Sequence, residues 1–320
     1  MAQMSYLEAA WSAIREEMRS DPRVFVMGQD VELDAAALVE EFGAHRVRNT
    51  PISEAGFIGA GLGAALTGMR PIVELGCSTF LYSAMDQVVN QAAKSRYMFG
   101  GQASVPLVIR APVLYSMSVA AHHSDRPWAL FAQSPGLKII VPSTPYDVKG
   151  LLKSAIRDGN PVICFDDYSI IDRREEVPDS DYLIPIGPAE VKFRGTDVTL
   201  VSLAASVHRC LEAARILADE GISAEVIDLR TVVPMDTGTV LESLKRTGRL
   251  IVVDPAPGTC SVASEVAATA AEFAFEHLKG PIVRMTAPDV PVPYSPHLEK
   301  LLFPTTNEIV ANAIKLVRNR

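Results

Sequence analysis

Between Ala55 and Met69 the chain carries no charged side chain, and Gly59, Gly61 and Gly63 fall inside a helical pattern that runs from Gly56 to Thr67. Each glycine weakens a helix by roughly 1 kcal/mol relative to alanine. So dense a run needs a reason, and close approach of another surface supplies one. An acid on a turn, Pro51-Ile52-Ser53-Glu54, stands directly in front of the helix. Two readings of Glu54 follow. Ser53 caps the helix and Glu54 stabilises its first turn through the helix dipole. Alternatively, Glu54 is a poorly solvated acid that hydrogen-bonds a ring nitrogen of a ligand and exchanges a proton with it. The glycines do not form a dinucleotide loop, because they lie within the helical pattern and not in a strand-to-helix turn. A strand, Arg70–Leu75, follows, then a turn at Gly76 and an amphipathic helix expected from Ser83 to Arg96.

Strands and helices alternate along the rest of the chain. Val24–Met27, Val105–Arg110, Leu137–Val141 and Val162–Phe165 are nearly continuous apolar runs, as expected for strands covered on both faces of a parallel sheet. Helices are expected over Met4–Arg19, Ala35–Phe42, Trp128–Gln133 and Tyr146–Arg157, with an irregular loop over Ala111–Ser124. Asp166–Leu183, rich in charge and holding Pro178, reads as an exposed linker. A second series begins near Ile186, with strands at Val198–Leu203, Ser223–Asp228, Leu250–Val253 and Ile282–Met285, and a closing helix at Thr306–Arg318. The fold class is therefore α/β, as two doubly wound domains over residues 1–183 and 184–320.

The net charge of −8, without a basic cluster, argues against nucleic acid or an anionic membrane surface as partner. No apolar run reaches the ~18 residues of a membrane span. Glu8, Arg15 and Glu16 interrupt the N-terminus too early for a signal peptide. Cys77, Cys164, Cys210 and Cys260 lie far apart and read as buried thiols in a reducing compartment, so the expected location is cytoplasmic.

His122 and His123 close the irregular loop, ahead of Ser124 and Asp125. Loop histidines are commonly just exposed, and adjacent side chains diverge too much to share one metal.

The runs PISEAGFIGAGLGAALTGMRPIVE, AMDQVVNQAAKSRYMFGGQ, SVAAHHSD, SPGLKIIVPSTPYDVKGLLKSAIRDGNPV, VIDLRTVVPMD and DVPVPYSP, in this order, cover nearly the whole chain. Together they resemble the β (small) subunit of the thiamine-diphosphate-dependent first component of 2-oxo acid dehydrogenases, of the pyruvate, acetoin and branched-chain types. The resemblance implies a pyrimidine-binding transketolase-like domain followed by a transketolase C-terminal-like domain. It implies that Glu54 bonds the aminopyrimidine of thiamine diphosphate, that Phe80 packs on that ring with Tyr82 along the same wall, and that His123 faces the reacting centre. On pattern alone Phe80 also reads as a core residue. Leu107, Ala155, Asp158 and Asn160 fall where the family binds a potassium ion, mainly through backbone carbonyls. The GDG…N motif that holds Mg2+ and the diphosphate is absent here, as expected if an α subunit carries it in an α2β2 heterotetramer.

The function implied is decarboxylation of a small 2-oxo acid and acyl transfer to the lipoyl group of an acyltransferase core, with this chain inactive alone. Three departures from the family pattern keep a second reading open. The chain is shorter between Val31 and Thr50, Gln29 replaces a common acid, and Val113-Leu114-Tyr115-Ser116-Met117 replaces a glycine-rich loop. The second reading is a split transketolase-like or acyloin-forming carboligase passing a two-carbon unit to an aldehyde, ketone or sugar. A third is a non-catalytic assembly subunit.

Overall fold

The apolar runs form strands without a single exposed residue in β2 (Val24–Gly28), β5 (Val108–Val113) and β7 (Val162–Asp167) of the computed structural model, which describes residues 2–29 and 31–318. The chain divides into two compact units, Met1–Leu114 with His122–Ile186, and Tyr115–Ala121 with Gly187–Arg320.

In the first unit β2, β5 and β7 join β3 (Val47–Asn49), β4 (Arg70–Glu74) and β6 (Lys138–Ile140) in the order β6-β7-β5-β4-β2-β3, all parallel. β5 begins three residues later and ends three residues later than the expected Val105–Arg110, which places Arg110 inside the strand instead of at its end. That charge is tolerated because Arg110 pairs with Glu74 of β4 and Asp166 of β7, both at 2.9 Å. Tyr6 donates to Asp166 at 2.8 Å, and the Trp11 ring lies 5.0 Å from the Arg110 guanidinium. Burial disfavours the guanidinium charge, but the two carboxylates outweigh it and raise its pKa. The network ties β4, β5 and β7 together across the sheet.

The glycine-rich helix is real and spans Glu54–Leu66. A Cβ on Gly61 would stand 2.7 Å from Val73 Cγ2, so this glycine lets the helix sit on the sheet. Gly63 has no neighbour within 4 Å of such a Cβ. Gly56, Ala60, Gly63 and Thr67 leave one side of the helix exposed and almost without side chains.

Two expectations need correction. The stretch from Ser83 to Arg96 is not one α-helix. It follows a tight 3-10 segment, Ser78–Ala84, and passes through wide π-type turns, Asp86–Ala92, before α-helix resumes at Ala93–Met98. The charged stretch from Asp166 is not simply an exposed linker either. Asp166 and Asp167 are buried, and β8 (Arg174–Val177) pairs antiparallel with β1 (Ala2–Ser5). Backbone pairing does not need apolar side chains, so the charges hid the strand.

In the second unit β10 (Val198–Ser202), β11 (Ala224–Asp228), β13 (Leu250–Pro257) and β14 (Val283–Ala287) form a parallel sheet, and β9 (Glu190–Phe193) adds an antiparallel edge beside β11. A short strand, β12 (Thr231–Val233), follows β11. The helices Ser206–Asp219 and Thr306–Arg318 pack a core of Leu200, Cys210, Leu217, Val226 and Ile309 against this sheet. Cys77, Cys164 and Cys210 are buried, but Cys260 is exposed. Burial pushes the Cys210 thiol up to about 12. No helix among the described residues is long and apolar enough to cross a membrane.

Candidate active site

Glu54 is the first residue of its helix and is half-buried. Ser53 does not cap that helix with its side chain; its hydroxyl donates instead to the Pro51 carbonyl at 3.2 Å. The capping reading therefore fails for Ser53. The hydroxyl of Ser83 lies between Glu54 Oε2 (3.1 Å) and the Phe80 carbonyl (2.9 Å). Glu54 Oε1 has no protein partner among the described residues. One serine thus links the acid to the residue expected to carry the aromatic wall.

Phe80 is half-buried, and its ring meets that of His123 edge-on, 5.6 Å between centroids and 76° between planes. His123 is half-buried, whereas His122 is exposed. Neither ring nitrogen of His123 has a protein partner among the described residues. Tyr82 is exposed, and its hydroxyl donates to Asp125 at 2.9 Å. Partial burial and then the Asp125 carboxylate raise the phenol's pKa, which keeps it protonated and a donor. Glu54, Phe80, Tyr82 and His123 are thus connected through one short segment, Cys77–Ser83.

Sequence reasoning missed most of that segment. Thr79 donates to the His122 carbonyl at 2.6 Å, and Ser78 to that of Asp125 at 3.0 Å. The Cys77 thiol sits 3.3 Å from the His123 carbonyl. The available signal was three small polar residues between a buried strand and Phe80, a pattern that also fits an ordinary turn.

Leu107, Ala155, Asp158 and Asn160 are brought together where the helix Pro145–Arg157 ends and β7 begins. The Leu107 carbonyl accepts from Val162 N–H at 2.9 Å, and that of Ala155 from Asp158 N–H at 3.2 Å. The Asp158 carbonyl accepts from Arg70 at 3.0 Å. Each of these oxygens keeps a second lone pair. The Asp158 carboxylate takes the backbone and side-chain N–H groups of Asn160, both at 2.9 Å, and the Lys138 ammonium. Among the described residues no group of three or more His, Cys, Asp or Glu is placed to hold a metal ion.

In the altered loop before His122, Tyr115 is buried and packs on Phe303, ring centroids 4.8 Å apart. Ser116, Ser118 and Ala120 adopt φ of 67°, 58° and 65°, which glycine would adopt without strain. The buried carboxylate of Glu299 accepts from Ser116 N–H at 2.6 Å and Ser118 N–H at 2.9 Å.

A cavity of about 800 Å³, lined by Ala93, Tyr97, Gly136 and Asn160 among others, includes none of Glu54, Phe80, Tyr82 and His123. Geometry and hydrogen bonding, not concavity, mark the constellation. An acid with one free oxygen, linked through Ser83 to the backbone of an aromatic residue, suits an aminopyrimidine, which needs a carboxyl at a ring nitrogen and a ring to pack on.

Residues 2–166 match the family described as transketolase, pyrimidine binding domain, and residues 187–309 that described as transketolase, C-terminal domain. The β subunit of acetoin:2,6-dichlorophenolindophenol oxidoreductase of Bacillus subtilis is 44% identical, covering 98% of this chain and 97% of that one. The pyruvate dehydrogenase E1 component subunit beta of Rhizobium meliloti is 46% identical over 99% of this chain and 70% of its own length. A split-gene transketolase, solved as an inactive β4 tetramer, superposes with a TM-score of 0.82 over 98% of both chains at 23% identity, a likeness of fold.

Proposed function

The chain belongs to the transketolase-like family, among the β subunits of thiamine-diphosphate-dependent 2-oxo acid dehydrogenases, and we propose that it supplies the pyrimidine-facing half of an active site completed by an α subunit. The reaction is decarboxylation of a 2-oxo acid with transfer of the acyl group to a lipoyl carrier. Residues 1–183 form the pyrimidine-binding domain and 184–320 the C-terminal domain.

When bound, thiamine diphosphate supplies a carbon nucleophile and an electron sink for the pair released with the carboxylate. Glu54 would hold a proton at Oε1 toward the pyrimidine nitrogen, while Ser83 holds Oε2. Phe80 would pack against the pyrimidine, and Tyr82, fixed by Asp125, extends that wall. His123 would donate a hydrogen bond to the substrate oxygen as it gains charge. The diphosphate and its Mg2+ fall to the α subunit, which carries the GDG…N motif in an α2β2 assembly. The carbonyls of Leu107, Ala155, Asp158 and Asn160 would hold a potassium ion. The exposed side of the helix at Gly56, Ala60 and Gly63 supports close approach of another chain. The enzyme acts in the cytoplasm.

The observation that carries the reading is Glu54 with one free carboxyl oxygen, joined through Ser83 to Phe80 and its partner His123. The test is reconstitution with the α subunit, a 2-oxo acid and a lipoylated domain. Glu54→Ala should lower kcat by about 10²–10⁴-fold, the range for losing a proton-transfer group, while the chain still folds. Full activity in that variant would refute the reading. A carbon–carbon coupled product without acyl-lipoyl would replace the dehydrogenase with a carboligase.

A further inference from the structure

Four successive backbone carbonyls, from His122 to Asp125, each meet a side-chain donor. Thr79 Oγ1 donates to His122 O at 2.6 Å, and Ser78 Oγ to Asp125 O at 3.0 Å. Arg126 Nη1 donates to Ser124 O at 2.6 Å. The Cys77 thiol lies between Thr79 Oγ1 at 3.1 Å and His123 O at 3.3 Å. Cys77, Ser78 and Thr79 are buried, so these bonds do not exchange freely with water. The His123 ring, by contrast, makes no hydrogen bond among the described residues, and it meets the ring of Phe80, from the same segment, edge-on.

Regular secondary structure satisfies carbonyls with backbone N–H groups and needs no particular side chain. Here the backbone on either side of the His123 Cα is held by hydroxyl and thiol donors. With no hydrogen bond on the imidazole itself among the described residues, the ring's direction depends on that backbone and on Phe80. Resting on the assignment of His123 to the reacting centre above, we propose that Thr79, supported by Cys77, is a positioning residue for His123. Its hydroxyl fixes the peptide that aims the imidazole at the substrate, and Thr79 itself touches neither substrate nor cofactor. Serine keeps the donor, and valine keeps the shape and loses it.

The experiment compares Thr79→Val and Thr79→Ser in the isotope-labelled full chain and in the complex reconstituted with the α subunit. In the chain alone, the imidazole resonances of His123, assigned by their loss in His123→Ala, should shift in Thr79→Val and return in Thr79→Ser. The histidines outside this segment, His45, His208, His277 and His297, should not move. In the complex, Thr79→Val should lower kcat by roughly 10- to 100-fold, the cost of misplacing a reacting group by about 1 Å, with cofactor affinity retained. The same change in a His123→Ala background should cost nothing further. Unmoved His123 resonances would overturn the proposal. So would a kcat loss in Thr79→Val that persists undiminished in the His123→Ala background. A wild-type complex unable to decarboxylate any 2-oxo acid would overturn the functional assignment instead, and the resonance comparison would still decide whether Thr79 sets the imidazole.

Discussion

The glycines of the helix Glu54–Leu66 should divide into two kinds when each is replaced by alanine. Helix propensity alone predicts a gain of about 0.8–1.0 kcal/mol for either change. At Gly63 nothing lies within 4 Å of the new methyl, so the gain should appear in full. At Gly61 the methyl would stand 2.7 Å from Val73 Cγ2, in the middle of β4. Valine is stiff at χ1 and cannot turn aside cheaply. Overpacking of this kind costs about 1–3 kcal/mol, so Gly61→Ala should end up neutral to about 2 kcal/mol less stable. Urea unfolding of the isolated chain measures both, and Gly61→Ala combined with Val73→Ala should remove the clash penalty. The partner surface adds a second contrast. Gly63→Leu should leave the isolated chain folded but weaken association with the α subunit by ~1–3 kcal/mol, roughly 5- to 150-fold in Kd. If Gly61→Ala and Gly63→Ala stabilise equally, the close-approach reasoning is wrong. If Gly63→Leu assembles normally, the exposed side of this helix is not a contact surface.

Three further outcomes follow from particular contacts. Arg110→Met should cost about 3–5 kcal/mol, because it leaves Glu74 and Asp166 without their buried counter-charge. Differential scanning calorimetry would show the loss, and a fall under 1 kcal/mol would contradict it. Ala120→Gly should raise stability by about 1 kcal/mol by relieving a left-handed residue at φ 65°, and an unchanged urea midpoint would speak against stored strain. Asp236 caps the helix Thr237–Thr247. Burial works to raise its carboxyl, but hydrogen bonds from Thr239 and Ala189 hold it below the ordinary value. Its stabilisation is therefore present above the unfolded carboxylate pKa of about 3.9 and is lost as pH falls through the lower folded value. Asp236→Ala should cost about 1 kcal/mol at neutral pH, and the gap to wild type should close in acid; a gap that persists unchanged in acid would refute the assignment.

Much of the fold was legible because buried parallel strands write their environment into composition. Val24–Gly28 and Val198–Ser202 are buried on both faces, and their largely apolar composition reflects it. Glu54 and His123 stood out as candidates for a different reason: an acid before a glycine-rich helix and a histidine before a serine match a family pattern. What stayed hidden depends on distance in the chain. Nothing in Arg174–Val177 announces pairing with Ala2–Ser5, since a run of five charged residues, Asp172 to Glu176, usually means water. Gly61 and Gly63 are the same residue two positions apart, yet one faces Val73 and the other faces open space. Composition cannot separate them, because the difference lies in what the sheet brings to each.

The same limit explains why the support of the candidate site was harder to read than the site itself. A local rule assigns Cys77-Ser78-Thr79 to a turn, and they do begin one. Their side chains, however, are engaged with carbonyls more than forty positions away. A segment whose backbone carbonyls are satisfied by side chains has given up the freedom of sequence that helices and strands enjoy. Each donor must sit at one place, with one length, and a neutral substitution in an ordinary loop becomes a costly one here. Natural chains tend to break local rules where function requires a geometry that regular structure does not provide. At His122–Asp125 the break coincides with the imidazole that has no hydrogen bond of its own among the described residues. The half-buried ring is left without a hydrogen bond among the described residues while the peptide beneath it is fixed. That combination suits a group that must meet a changing charge without first rearranging.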